Sequence, residues 1–260
     1  MCFYRFIALF TLALIIPQTA SRGELTFDAT VPLYPKVEQT IERGQKVLAD
    51  KQANNGAFSE NLGPHSVALM ALMVNGNTPG KGKFGTNIAK GVDYLLSCQE
   101  ANGFLVTENR GRMYQHALAT LALAEAYGMT HNPQIREALI KAVNLIVEVQ
   151  DYGGGWRYEP KMMKGDLSVS VMQIMALRAS VEVGIFVPEE TITLAIKFVK
   201  DKWIEDGAGF GYTGKDKVNF NRAGAGVVCL QSVGLQDDPM VQKAIRTISE
   251  RAFSTNEDKS

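Results

Sequence analysis

Cysteine, histidine and net charge are all scarce in this chain, and each shortage removes a class of function. Three cysteines occur, Cys2, Cys98 and Cys229, too few for a disulfide framework or a cysteine-rich zinc module. The patterns around them put Cys98 at the end of an amphipathic helix and Cys229 inside an apolar one, so the two are expected to stay unpaired, as small buried hydrophobes. Histidine is limited to His65, His116 and His131, a thin supply for metal ligation, and no metal or other cofactor is expected. Lysine plus arginine equal aspartate plus glutamate at 27 each, a net charge of zero. No basic stripe with interleaved aromatics is present, which argues against a nucleic-acid partner. Long apolar runs are lacking too. The N-terminal stretch from Phe6 to Ile16 is eleven residues without a charge, too short to span a bilayer comfortably. It follows Arg5 and precedes the small residues of Pro17 to Ser21, the layout of a signal peptide over residues 1–22. Export to a periplasmic or extracellular space is therefore expected, with an uncleaved membrane anchor as the alternative.

What is present is a recurring segment: a basic residue, an apolar pair, a glutamine nine positions after the base and a glycine four beyond it. The copies run from Arg43 through Gln52 to Gly56, from Lys90 through Gln99 to Gly103, and from Lys141 through Gln150 to Gly154. A fourth, degenerate copy has Leu194 for the base, Trp203 for the glutamine and Gly207 at the close. The glutamine position advances by 47, 51 and 53 residues, a period that marks a repeat architecture. After each glycine comes a turn with an aromatic residue (Phe58, Phe104, Trp156, Phe210) and then a second apolar stretch, aligned on Leu72, Leu123, Leu177 and Leu230.

The two stretches of a unit differ in kind. The segment Ile135 to Gln150 carries apolar residues on one face and Arg136, Glu137, Lys141 and Glu148 elsewhere, the pattern of an amphipathic helix. The segments from His116 to Tyr127 and from Ser168 to Leu177 are small or apolar nearly all round, which suits helices covered on both sides. Gly76, Gly128, Gly184 and Gly234 are expected to end the apolar helices, and Pro79, Pro133, Pro188 and Pro239 to precede or open the next amphipathic ones. The pattern predicts an all-α fold of helical hairpins, an α/α toroid or open arc of about four and a half hairpins, over residues 36–253. An N-terminal extension, 23–35, precedes it and a polar tail, 254–260, follows.

The motif from Arg43 through Gln52 and Gly56 to Phe58, and again from Lys141 through Gln150 and Gly154 to Trp156, resembles the glutamine-tryptophan repeat of the prenyltransferase and squalene-oxidase repeat family. The resemblance covers residues 36–253 and is closest in character to exported bacterial members. It implies a terpene-cyclase-like toroid enclosing an apolar cavity for an isoprenoid-like ligand, with Gln52, Gly56, Phe58, Gln99, Gly103, Gln150, Gly154, Trp156, Gly207 and Phe210 as scaffold. In the family's cyclases an Asp-x-Asp-Asp cluster protonates the substrate. The comparable segment here, Gly165 to Val169, holds one carboxylate, Asp166, and the aspartate, cysteine and histidine that hold zinc in protein prenyltransferases have no counterpart.

His65 and His116 stand at one repeat position, seven residues before the aligned leucines, and Asp166 lies one turn earlier in the next unit. The offsets place all three at one end of the apolar helices and predict His116 beside Asp166, either as a proton-transfer pair or as a satisfied polar pair, with Asp166 also suited to cap its helix. His65, Tyr114, Tyr158 and Tyr212 are the ligand-contact candidates. The expected partner is an apolar small molecule. The other reading is a non-catalytic module binding a peptide or glycan through its tyrosines and histidines. The fifth amphipathic segment, Val241 to Ile248, has no apolar partner after it. Apolar surface near Val227, Val228 and Leu230 or at the first unit is expected to stay open, and self-association with it.

Overall fold

The computed structural model describes residues 35–108 and 111–254. The signal peptide expected over 1–22, the extension before Pro35 and the tail after Ser254 lie outside the described residues. Among the described residues the protein is all-α: α1 (Pro35–Asp50), α2 (Leu62–Met73), α3 (Gly85–Ser97), α4 (Arg112–Thr130), α5 (Pro133–Glu148), α6 (Leu167–Glu182), α7 (Glu189–Lys200), α8 (Phe220–Ser232) and α9 (Pro239–Ser254). One short antiparallel ladder joins β1 (Trp203–Ile204) to β2 (Gly209–Phe210). None of the described helices is long and apolar enough to cross a membrane.

The described chain packs as two compact units, Lys36–Asp201 and a second one that contains residues 202–254. In the first unit α4 is the middle element, packed lengthwise against α2 on one side and α6 on the other. The reason is compositional. Alanines at 117, 119, 122, 124 and 126 are all buried, and such small side chains let neighbouring helices approach closely. The amphipathic α3 and α5 bury one stripe each, Ile88, Val92 and Leu95 in α3 and Ile135, Leu139, Val143 and Ile146 in α5.

Three turns are built alike. Gln52 Nε2 donates to Gly56 O at 2.8 Å and to Asn87 O at 2.8 Å. Gln99 does the same with Gly103 O and Ala138 O, and Gln150 with Gly154 O and Thr191 O. Each glutamine thus closes its own turn and ties that turn to the following amphipathic helix. The glycines are required twice over. Gly56, Gly103 and Gly154 have φ near +90°, a region L side chains rarely enter, and a Cβ on Gly154 would stand 2.1 Å from Leu194 O.

The fourth copy departs from this plan. Gly207 does not adopt a left-handed φ, and Ala208 does instead, at 46°. Trp203 sits in the ladder opposite Phe210 and donates its indole N–H to Glu205. Gly128 likewise does not end α4, which runs on to Thr130 and is capped by His131 at φ 55°. There the His131 N–H reaches back to Tyr127 O, so the left-handed cap falls on a non-glycine residue. Pro79 lies in a tight turn bridged between Thr78 and Lys81, six residues before α3 begins. Pro133 and Pro239 do open α5 and α9, and Asp238 accepts the Met240 N–H at the start of α9.

In the second unit α9 packs on α8. Val227 and Leu230, expected to be open, are 4% and 0% exposed, and Val228 is half-buried. Both Cys98 and Cys229 are free thiols, and burial pushes Cys229 up to about 12.

Candidate functional site

The two aligned histidines are interior residues rather than rim residues. His65 Nδ1 accepts the Phe58 N–H at 3.1 Å and its Nε2 meets Gly91 O at 3.0 Å. His116 repeats the arrangement with the Leu105 N–H and Ala142 O, both at 3.1 Å. Each imidazole is neutral and doubly engaged, joining the start of an apolar helix to the preceding turn and to the next amphipathic helix. Both are 0% exposed. Burial holds the His116 ring down at about 4, and lowers His65 in the same direction. Neither ring is open to a ligand, and among the described residues no hydrogen bond joins His116 to Asp166. Ser170 stands at the aligned position of the third unit, where its Oγ accepts the Trp156 N–H at 2.8 Å. Half of the role survives there: the hydroxyl takes the turn's N–H but donates to Asp166 O at the start of its own helix rather than to α7.

Asp166 is the N-cap of α6. Its Oδ1 accepts the Val169 N–H at 3.0 Å and the Ser168 hydroxyl at 2.7 Å. Its other oxygen, Oδ2, is buried without a hydrogen bond and lies 3.8 Å from Arg157 Nε. Tyr114 donates its hydroxyl to Ser168 Oγ at 2.6 Å, so a chain of hydrogen bonds runs from Tyr114 through Ser168 to Asp166. Tyr158 joins the group: its ring centroid is 6.0 Å from that of Tyr114, and Arg157 stacks over it at 5.3 Å. The loop bearing Arg157 and Tyr158 is held in place because the Asp166 N–H donates to Trp156 O, the Met113 N–H donates to Tyr158 O, and Glu159 pairs with Arg112. Tyr114, Tyr158 and Asp166 are therefore brought together, with Arg157 and Ser168 added by the structure. Tyr212, in the second unit, is half-buried under Arg222.

The same face of α4 continues away from Tyr114 through Leu118 and Leu121, four and seven residues on, both part-exposed. The neighbouring helices present aligned residues: Val67, 51% exposed, and Met70 on α2, and Met172 and Met175 on α6, all part-exposed. The stripes adjoin, since Leu118 reaches Gly63 of α2 and Tyr114 bonds Ser168 of α6. His65 and His116 point the opposite way, toward α3 and α5, so this apolar face is turned from the amphipathic helices. A separate groove of about 570 Å³ lies between Thr78–Lys81, α3 and Met129–Ile135. Among the described residues no three of His, Cys, Asp or Glu come together as metal ligands.

The residue that the sequence reading passes over is Glu125. It is 5% exposed, its Oε2 has no hydrogen-bond partner, and burial alone raises it to about 7. The signal was legible as one acid in a run of alanine and leucine. Compared with known proteins, the chain matches no family model and no curated protein.

Proposed function

We propose that this is an exported binding protein of the prenyltransferase and squalene-oxidase repeat type, whose hairpins curve into a toroid or open arc around an apolar, isoprenoid-like ligand. The observation that supports it is the face of α2, α4 and α6, where Val67, Met70, Leu118, Leu121, Met172 and Met175 keep apolar side chains in contact with solvent. A contiguous apolar face of this kind favours association with an apolar partner, because each side chain covered is removed from water. The polar group of Tyr114, Ser168, Asp166 and Tyr158 at one end of the face orients such a ligand by hydrogen bonding. No reaction is assigned to it. Mass spectrometry of lipid extracted from the purified protein tests the reading. An apolar lipid is expected with the native chain and a reduced amount with Leu121→Asp, which places a charge in the middle of the face. Lipid-free protein from both, with equal uptake of an apolar dye, would overturn it.

A further inference from the structure

Glu125 stands where the fold has no use for a charge. The aligned positions are Val74, just past the end of α2, and Ala179 on α6, so both are apolar where α4 carries an acid. Apart from Arg112 at its first residue, α4 carries no other charged group. The carboxylate is more than nine-tenths buried, one oxygen is without any donor, and no lysine, arginine or histidine among the described residues pairs with it. Arg178, on α6, is engaged by Glu182. An unpaired carboxylate out of water is costly, and burial has already lifted its proton affinity toward neutrality. The missing partner is a cation or a strong donor.

Its position says what kind of molecule would bring one. Tyr114, Leu118, Leu121 and Glu125 are spaced by four, three and four residues and form one line along α4. Eleven residues of helix make that line about 16 Å long. Resting on the proposed apolar-ligand reading, we propose that Glu125 is the head-group site for a cationic amphiphile: its ammonium pairs with the Glu125 carboxylate and its apolar chain lies over Leu121 and Leu118 toward Tyr114. A cation is favoured over a neutral hydroxyl because it supplies both the hydrogen bond and the counter-charge that the carboxylate lacks, and charge-assisted bonds are the stronger kind.

The test uses dodecylamine and dodecanol, equal in chain and different in head group, titrated into the full-length protein at neutral pH below their aggregation concentrations. Displacement of a polarity-sensitive dye is the readout. Dodecylamine is expected to bind at least about tenfold tighter than dodecanol, and Glu125→Gln to shrink that preference to about twofold while dodecanol binding stays unchanged. If Glu125→Gln does not fold, Glu125→Val, which copies the side chain of the aligned Val74, serves in its place. Equal binding of the two ligands by the native chain would overturn the head-group site and leave the apolar face standing. A preference that survives in the variant would also overturn it, by locating the charge elsewhere. Binding of neither ligand would overturn the site and the apolar-ligand reading together.

Discussion

The turn after α5 and the turn after α7 end in a glycine at the same repeat position, yet they close differently. In the first, Gln150 bonds Gly154 O within the turn and Thr191 O on α7, and Gly154 lies against Leu194 O with no room for a side chain. In the second, Trp203 replaces the glutamine, its indole N–H is satisfied two residues away by Glu205, and a two-residue ladder with Phe210 holds the turn. The glutamine side chain is long enough to serve two carbonyls, one local and one on the next helix. Tryptophan has one donor and serves one acceptor. The boundary between the compact units falls at Asp201 and Lys202, beside the copy in which the two-way bond is lost.

The largest expected effect sharpens this contrast at the glycines. Gly154→Val combines a left-handed φ with a Cβ driven onto a backbone carbonyl and should destabilise the chain by about 4 kcal/mol. Gly207→Ala has no left-handed φ to strain, and its Cβ would stand 2.5 Å from Val218 Cγ2, a clash with a side chain rather than with a backbone carbonyl, so it should cost less. Thermal denaturation of the pair checks the ranking, and equal melting temperatures would break the comparison.

A second effect is set by pH. The His116 ring titrates near 4 when folded and near 6.5 when unfolded, so the unfolded chain binds more protons between those values. Stability contributed by the neutral ring is complete above about pH 6.5 and is lost as pH falls toward 4, by about 3 kcal/mol in all. Glu125, raised from 4.5 to about 7, works in the opposite sense: its cost grows as pH climbs from 4.5 through 7. The two windows overlap between about pH 4.5 and 6.5, where the opposing slopes largely cancel. Denaturant midpoints measured from about pH 4 to 8 should therefore show a steeper acid-side loss in Glu125→Gln than in the native chain, and no decline between about 6.5 and 7 in that variant. An acid-side slope unchanged by His116→Gln would sink the assignment.

The smallest of the three concerns the glutamine itself. Gln150→Ala leaves Gly154 O and Thr191 O without their donor and should cost about 2 kcal/mol. Hydrogen exchange at the Gly154 and Gly155 amides should accelerate with it, while amides of the second unit should not respond. Uniform acceleration through both units would show that the bond matters globally rather than at its own turn.

How much of this was legible in the sequence depended on the range of the interaction. The glutamine-to-glycine spacing, the prolines at Pro133 and Pro239 and the cap at Asp166 are local, decided within a few residues by helix and turn geometry. They read correctly. Gly128 and Gly207 misled because a glycine permits a left-handed backbone without demanding it. The neighbouring His131 and Ala208 took that conformation once tertiary contacts had chosen where the chain must bend. The histidines misled for a related reason. Their shared repeat position was visible, but its meaning was not, because an imidazole at a helix start can face a cavity or a backbone, and only the packing of α3 and α5 against α2 and α4 turned both rings inward.

By itself, then, the sequence determined the helices, their amphipathic or apolar character and the glutamine turns, since these follow from periodicity and from bonds that span a few residues. The tertiary structure alone decided which side of each apolar helix meets solvent. It thereby decided that Tyr114, Tyr158 and Asp166 share one end of a face while Glu125 is buried without a partner. A helix that is apolar all round carries no moment to orient it, so its exposed stripe is chosen by its neighbours and cannot be read from its own residues.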